Sequence, residues 1–471
     1  MPTTSTSSST PAILRAIAAV TILEFLETGM VTFAAGPIMA GLDARTEDFA
    51  LSFTVYAAAA IFMLYKHRWV AERVGYRTFT LGSLLVFALG AVLCATADGI
   101  DRFTVGRALQ GAAGATFFTA GRMEVNRIPP ERRFQGVLTF IAALLGATAL
   151  APLAAAWLTE ALGWRALFWA VVPLCIAVAL MAGPHLSRAI TPARERSSEH
   201  WGWFLILAGA LLSLQYAVQE AQFSLLTTPW RIVAFGLPAC AILSAFAWRQ
   251  WHKERPLIDY RALLHWRYGL GIALYFIGYF MAGASAFLLP IFAQQALGLP
   301  MLTTGALLTL AFLGGLLAAM AHAFMFRRWP RFRPYMLAGL AFCLSSWVLL
   351  GFVEPTAGWM ALLLPAALGA ASSAFFFGPV AFGTFIEVDE KAFSHAYQVK
   401  NIVRQLGLST AFAASAATLE WRFTEHLHEG APSPTDPVTH ALFAASNDTF
   451  IGLALLVLPV ALLVWRQRTF H

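Results

Sequence analysis

The sequence predicts an all-α polytopic membrane protein, on three observations. Hydrophobic residues make up 59% of the 471 residues and charged residues only 12%, whereas a soluble chain carries about a quarter charged residues. The apolar residues are collected into runs of roughly 20, the length at which a helix crosses about 30 Å of hydrocarbon. Lys and Arg are concentrated in alternate loops between these runs, as in the cytoplasmic loops of membrane proteins. A soluble fold is therefore excluded.

Fourteen apolar runs bounded by charged residues are predicted to be transmembrane helices, in groups of six, two and six. The first group lies near 12–40, 49–65, 77–98, 103–125, 134–158 and 166–186. The extra pair lies near 201–220 and 231–249, and the last group near 266–294, 302–326, 333–353, 357–384, 393–418 and 448–466. The chain is thus divided into a cytoplasmic tail (1–11), an N-terminal six-helix bundle (12–186), linkers with two extra transmembrane helices (187–265), a C-terminal six-helix bundle (266–466) and a second cytoplasmic tail (467–471).

The distribution of basic residues predicts that both termini are cytoplasmic. With that orientation, 24 Lys and Arg lie on the inner side, five lie outside and three lie within spans. The bias persists from Lys66 to Arg468, which supports an even number of spans. We therefore assign the net charge of +7 to contact with inner-leaflet lipids and not to nucleic acid. The expected location is a bacterial cytoplasmic (inner) membrane.

Two acids and an arginine inside the spans are candidates for function. Glu24 and Glu27 are three residues apart on the first span, so they share one helical face. Their presence also distinguishes this run from a cleaved signal peptide, and we expect it to be retained. A desolvated carboxyl group close to a cation such as Arg107 can exchange a proton at physiological pH. The open alternative is structural, with neutral acids bonded to a neighbouring helix and an Arg that holds two helices together.

The thirteenth span carries two more basic residues. Lys400 and Arg404 are one turn apart, with Asn401 beside them. If Lys400 faces a cavity, it attracts acidic groups of a substrate; the alternative is that it snorkels to the inner surface. Two deep acids against three deep bases favour neutral or acidic amphipathic compounds over dications, because an unpaired buried charge is costly. Phe376, in SSAFFFGPVAF, is a further cavity candidate.

Several motifs resemble those of one known family. The loop after the second span reads WVAERVGYR, the fourth span contains GRALQGAAGA, and the fifth contains ATALAPLAAAW. The sixth span begins with GWRALFWAVVP, and the thirteenth contains NIVRQLG. With these motifs the sequence is similar, over nearly the whole chain after residue 12, to the fourteen-span drug:proton antiporter family (EmrB/QacA type) of the major facilitator superfamily. Two motifs depart from the pattern: Arg68 replaces the leading Gly of the loop signature, and alanines replace the glycines around Pro152.

The resemblance implies the major facilitator fold, with a substrate site at the midplane between two six-helix halves. It also implies proton-driven export of lipophilic or amphipathic small molecules such as drugs, without a cofactor. The expected partners are the substrate, protons and membrane lipids, together with a periplasmic adaptor and an outer-membrane channel in a Gram-negative cell. Residues and resemblance together assign proton coupling to Glu24, Glu27 and Arg107, and the substrate cavity to Gln110, Phe376, Lys400, Asn401 and Arg404. They assign the gating loop to Glu72, Arg73, Gly75 and Arg77. Helix packing is assigned to Gly111, Gly114 and Pro152.

The sequence leaves other functions of the chain and other roles of its histidines open. The chain could instead export a dedicated endogenous product, such as a siderophore or an acidic metabolite. A membrane-embedded enzyme would need His and acids clustered at one interface, and an adaptor or receptor would not need charges at the midplane. His322 is a candidate proton relay or a simple interfacial hydrogen-bonding residue. His426 and His428, in an outer loop with nearby acids, form a weak metal-binding pattern or a solvated surface.

Overall fold

The computed structural model describes residues 10–125, 128–223, 228–389, 392–429 and 437–470. The secondary-structure elements in these parts of the chain are all helices, which confirms the all-α class. The α-helices are α1 (Thr10–Phe33), α2 (Ala35–Leu42), α3 (Thr46–Ala95), α4 (Ile100–Val125), α5 (Arg133–Leu162), α6 (Arg165–Ala182), α7 (Trp201–Phe223), α8 (Pro229–Trp251), α9 (Trp266–Ile291), α10 (Met301–Arg328), α11 (Phe332–Gly351), α12 (Trp359–Thr384), α13 (Phe393–Glu429) and α14 (Pro437–Arg466). A π-helical turn, Phe292–Ala296, extends α9.

Eleven helices within the described residues are long and apolar enough to cross a membrane. Of the other three, α2 has only eight residues. The remaining two, α4 and α13, are the helices that carry Arg107, Lys400 and Arg404. Length and composition therefore establish a multi-pass membrane protein, and the predicted number of fourteen crossings stays a prediction.

Helix α3, with 50 residues, consists of two antiparallel limbs and is not one straight helix. A straight helix of this length would measure about 75 Å. However, Phe49 near its start and Cys94 near its end both contact Phe103: the two phenylalanine rings are 6.2 Å apart and Cys94 Sγ lies 3.5 Å from the Phe103 carbonyl. The chain reverses around Gly75, where φ is 79°. A side chain at Gly75 would be strained and would also lie 3.2 Å from the Arg188 carbonyl oxygen.

The helices pack as two groups with an additional pair beside them. Helices α1 to α6 form what we call the N-terminal half, and α9 to α14 form the C-terminal half. Where the halves meet, α5 lies on α10 and α3 lies on α13. Helix α7 packs on both α3 and α13, and α8 packs mainly on α7. The extra pair therefore lies against one side of the seam between the halves.

The halves touch at both ends of the helices. At the predicted outer end, the amide of Leu302 donates to Glu160 Oε1 over 2.8 Å. At the predicted inner end, Arg68 Nη1 and His395 Nε2 are 2.7 Å apart. Tyr397 belongs at the same end to an apolar cluster with residues of the N-terminal half, among them Ile13. This occluded arrangement buries the charged residues that lie between the two ends.

Candidate functional site

An ion pair between Glu27 and Arg107 lies inside the N-terminal half. Arg107 Nη1 donates to Glu27 Oε1 over 2.6 Å and to Gln110 Oε1 over 2.8 Å. Arg107 and Gln110 are three residues apart on α4, so both face α1. Arg107 and Gln110 are fully buried and Glu27 is 1% exposed. The second oxygen of Glu27, Oε2, is buried and accepts no hydrogen bond from the described residues, so it can receive a proton without breaking a contact.

Small residues on α4 allow the first limb of α3 to approach this pair. A methyl group on Gly111 would lie 2.2 Å from the carbonyl oxygen of Tyr56, and one on Gly114 would lie 3.0 Å from its hydroxyl. The ring of Tyr56 is thereby placed 4.5 Å from the Arg107 guanidinium, and the ring of Phe53 lies 5.5 Å from it. Aromatic faces attract a cation and partly offset its desolvation.

A second ion pair joins the two halves. Arg404 of α13 donates through Nη2 to Glu24 Oε1 of α1. The Arg404 guanidinium also lies 5.2 Å from the ring of Phe25. Glu24 is 1% exposed and Arg404 is 5% exposed. The two acids that share one face of α1 thus pair with arginines from different halves.

Lys400 and Asn401 lie beside this second pair on α13. Lys400 Nζ is 4.7 Å from the centre of the Tyr397 ring and 5.2 Å from that of Tyr275. Asn401 Nδ2 donates to Thr119 Oγ1 of α4 over 3.2 Å. The structure therefore places Asn401 at a contact between the halves and Lys400 among aromatic rings of the C-terminal half.

Phe376 occupies a different position from the charged residues. It is fully buried, and its nearest neighbours include Gly278 and Gly339 of the C-terminal half. The next ring along the chain, Phe377, instead lies 4.8 Å from Tyr279 and 6.1 Å from Tyr275. Phe377 belongs to the aromatic run SSAFFFGPVAF that the sequence indicated as a cavity candidate, whereas Tyr275 and Tyr279 were not singled out from the sequence. The i, i+4 spacing of Tyr275 and Tyr279 was the available signal.

Pro152 lies where α5 crosses onto the C-terminal half. A methyl group on Gly305 of α10 would lie 2.8 Å from the Pro152 carbonyl oxygen and 2.7 Å from Ala156 Cβ. The alanines that replace the family's glycines around Pro152 are therefore faced by a glycine on α10. Close packing at this crossing is retained by the partner helix.

The predicted gating loop binds the linker that precedes α7. Glu72 Oε2 accepts hydrogen bonds from the Ser197 amide and hydroxyl, both over 2.6 Å, and Glu72 Oε1 accepts one from Arg68 Nε over 2.6 Å. Arg73 donates to the Ser197 carbonyl, and the Arg77 amide donates to the Ser187 carbonyl over 2.9 Å. Burial raises the pKa of Glu72, but the hydrogen bonds from Ser197 and Arg68 outweigh it and hold that pKa below its ordinary value.

Arg68 connects this loop to the other half. Its guanidinium contacts Glu72 through Nε and His395 of α13 through Nη1. The residue that departs from the loop signature therefore bridges the halves at the predicted inner end.

The three histidines singled out from the sequence, His322, His426 and His428, lie in surroundings other than those of the two ion pairs. His322 packs among rings, 5.0 Å from Tyr335 and 5.3 Å from Phe375. His426 Nε2 lies 2.7 Å from an Asp448 oxygen, and His428 Nδ1 lies 2.6 Å from the Thr424 carbonyl oxygen. Within the described residues, no group of three or more His, Cys, Asp or Glu side chains is placed to hold a metal ion.

Comparison with known proteins gives one consistent family. The family model described as Major Facilitator Superfamily matches residues 17–412. "Putative multidrug resistance protein MdtD" of Klebsiella pneumoniae subsp. pneumoniae is 24% identical over 456 residues, which cover 94% of this chain and 92% of that protein. An MFS-type transporter of Bacillus subtilis, YhcA, is 24% identical over 389 residues, which cover 82% of this chain and 72% of that protein.

Solved structures of transporters share the fold. An auto-inhibited peptide transporter of the POT family aligns with a TM-score of 0.65 at 15% identity, covering 97% of each chain. The D323A mutant of the nucleoside transporter NupG aligns with a TM-score of 0.60 at 12% identity, covering 96% of this chain and all of the other. At such low identity the likeness concerns the fold alone.

Proposed function

Because the chain belongs to the major facilitator superfamily, and is therefore a membrane transporter and not an enzyme, we propose that it is a proton-coupled antiporter. In this proposal it exports lipophilic or amphipathic small molecules, such as drugs, by alternating access. The observation that carries the proposal is the buried group of Glu27, Arg107 and Gln110 beside the seam between the halves. A relative named as a multidrug resistance protein is consistent with this class of substrate.

Proton coupling is assigned to Glu27 with Arg107. A buried carboxylate is destabilised by desolvation and stabilised by an adjacent guanidinium, so its protonation responds to small changes in their distance. Gln110 holds Arg107 Nη1 at the position where it also contacts Glu27. A substrate or a helix movement that displaces Arg107 would favour proton uptake by Glu27, and the reverse movement would favour release.

The substrate is assigned to the space between the halves near α13. The side chains there combine rings, Tyr275, Tyr279 and Phe377, with the cation Lys400. Of the five deep charged residues identified in the sequence, Glu27 contacts Arg107 and Glu24 contacts Arg404, and Lys400 is the third base. Neutral and acidic amphipathic compounds therefore fit this region better than dications, which would bring further positive charge into a low-dielectric site.

Fourteen crossings with both termini in the cytoplasm are part of the proposal. Counting α1 with α2 as one crossing, α3 as two limbs, and each helix from α4 to α14 as one gives this number. The basic loops then lie on the inner side of a bacterial cytoplasmic membrane. In a cell with an outer membrane, export to the medium would also require a periplasmic adaptor and an outer-membrane channel.

A transport assay in inside-out vesicles tests the function. Vesicles that contain the protein should accumulate a neutral lipophilic dye when their lumen is acidified, and accumulation should stop when nigericin dissipates the pH gradient. Accumulation that persists without a gradient would contradict proton coupling. A dedicated exporter of an endogenous metabolite, the second transport hypothesis, would be gradient-dependent but selective for one compound.

A further inference from the structure

The two ion pairs on α1 differ in what happens to them when the halves move. Glu27, Arg107 and Gln110 all belong to the N-terminal half, so they move as one body. The other pair connects α1 to α13, and Arg404 takes both its carboxylate partner Glu24 and a ring contact with Phe25 from α1. Any separation of α1 from α13 must therefore break the second pair and leave the first intact.

Breaking that contact while both groups are charged is unfavourable. Glu24 and Arg404 are almost completely buried, and a buried charge that loses its partner destabilises the structure strongly. Protonation of Glu24 removes one of the two charges and weakens the attraction between α1 and α13. In an open conformation, water can solvate Arg404.

Other ionisable groups around Glu24 come from several helices. Glu27 lies on α1 itself, Tyr56 on α3 and Tyr279 on α9, and each is near enough to interact electrostatically with Glu24. Arg107 of α4 faces the same group through its contact with Glu27. The ion pair that joins Glu24 to the other half is the one with Arg404.

We infer that the Glu24–Arg404 pair is a lock that holds the halves closed while Glu24 is ionised and releases them when Glu24 binds a proton. Arg404 is then a positioning residue and not primarily a substrate contact. The inference rests on the proposed proton-coupled function and adds a division of roles. Glu27 exchanges a proton within the N-terminal half, and Glu24 controls movement between the halves. A carrier that holds neither proton nor substrate would stay closed, which limits proton leak.

Distances between spin labels on the two halves test this lock without requiring transport. Suitable sites are Leu138 near the inner end of α5 and Phe324 near the inner end of α10, which are 56% and 68% exposed. The exposed Cys240 is first replaced by serine. Pulsed electron paramagnetic resonance in lipid nanodiscs then gives the closed and open populations as a function of pH.

The lock predicts one closed distance for the parent at neutral pH and a growing open population as the pH falls. Glu24→Gln and Arg404→Gln should each raise the ratio of open to closed molecules at neutral pH by about tenfold or more. The double variant should open no further than either single variant, because both remove the same interaction. Arg404→Lys, which keeps the charge, should give a smaller shift. Glu27→Gln, the matched control, should keep the closed distance at neutral pH.

Unchanged distances in both single variants, additive effects in the double variant, or equal opening by Glu27→Gln would overturn the lock. Size-exclusion chromatography of each variant shows whether it is folded. If Glu24→Gln and Arg404→Gln are not folded, the distance shift of Arg404→Lys tests the lock. If the distances respond as stated but transport is independent of the pH gradient, the proposed function fails and the lock stands. If transport is proton-driven and the distances do not respond, the lock alone fails.

Discussion

Glu24 and Glu27, one helical turn apart on α1, bind arginines that belong to different halves of the molecule. Glu27 contacts Arg107 of α4 at 2.6 Å, and Glu24 contacts Arg404 of α13. One helix face thus carries a pair that is internal to the N-terminal half and a pair that spans the seam. This arrangement suits a transporter in which proton binding and relative movement of the halves must be linked.

Gly111 is expected to be intolerant of a side chain. A methyl group there would lie 2.2 Å from the backbone oxygen of Tyr56, so α3 and α4 would have to move apart. Gly111→Ala should lower stability by about 1–3 kcal/mol, the usual penalty of overpacking. The fraction of each variant that stays monodisperse after heating in detergent measures the loss of stability. Gly146→Ala is the matched control, because nothing lies within 4 Å of that position; equal losses in both variants would refute the proposed close approach.

The gating loop should be stabilised by the ionised form of Glu72. Its pKa is depressed because the hydrogen bonds from Ser197 and Arg68 outweigh burial, so the contribution is complete above the ordinary carboxyl value of 4.5 and disappears as the pH falls through the depressed value. The stability lost in Glu72→Gln should be about 1.5–3 kcal/mol near neutral pH and should shrink towards pH 3. Thermal unfolding of parent and variant across this range measures the difference. A difference that is constant with pH would contradict the assignment.

Removing the Glu72 side chain should also affect transport in a specific way. Glu72→Ala should slow turnover more than it weakens substrate binding, because Glu72 contacts Ser197 and Arg68 and belongs to neither of the two deep ion pairs. Initial transport rates and equilibrium binding of the same compound separate the two effects. Normal turnover with lost binding would show that the loop has another role.

Substrate charge should follow the excess of deep basic residues. Expression in an efflux-deficient host should protect against neutral and acidic amphipathic compounds more than against dicationic antiseptics. Lys400→Ala should reduce protection against the acidic compounds by about three- to tenfold, since a partly solvated ion pair contributes about 1 kcal/mol. Lys400→Arg keeps the charge and should retain most of the protection. Strong protection against dications would contradict this preference.

The deep charged residues could be found from the sequence, but their partners could not. The cost of a charge in hydrocarbon was enough to single out Glu24, Glu27, Arg107, Lys400 and Arg404. The sequence suggested that Arg107 faces the two acids. In the structure Arg107 contacts Glu27, and Glu24 pairs with Arg404, which is 380 residues away. Helical periodicity determines which residues of one helix share a face, and it contains no information on which distant helix lies opposite.

Contacts outside the deep charges were harder to predict for two physical reasons. Aromatic residues are abundant in this chain, with 38 Phe and 10 Tyr, so nothing marked Tyr56 or Tyr275 as neighbours of cations. Nothing in the polar linker before α7 marked Ser197 as a binding partner, whereas Ser197 is 1% exposed and bound to Glu72. The reversal at Gly75 was predictable, because two apolar runs flank a loop that contains a glycine.

Proton-driven uptake by the Glu27→Gln variant is the most direct measurement of the central claim. In inside-out vesicles with an acidified lumen, the parent should accumulate a neutral lipophilic dye, and Glu27→Gln should reduce gradient-driven accumulation to the level of vesicles without the protein. Glu27→Asp, which retains a carboxyl group, should keep part of the activity, and binding of the dye to the glutamine variant should show that it is folded. Full gradient-driven accumulation by Glu27→Gln would contradict the assignment of Glu27 as the residue that couples proton movement to export.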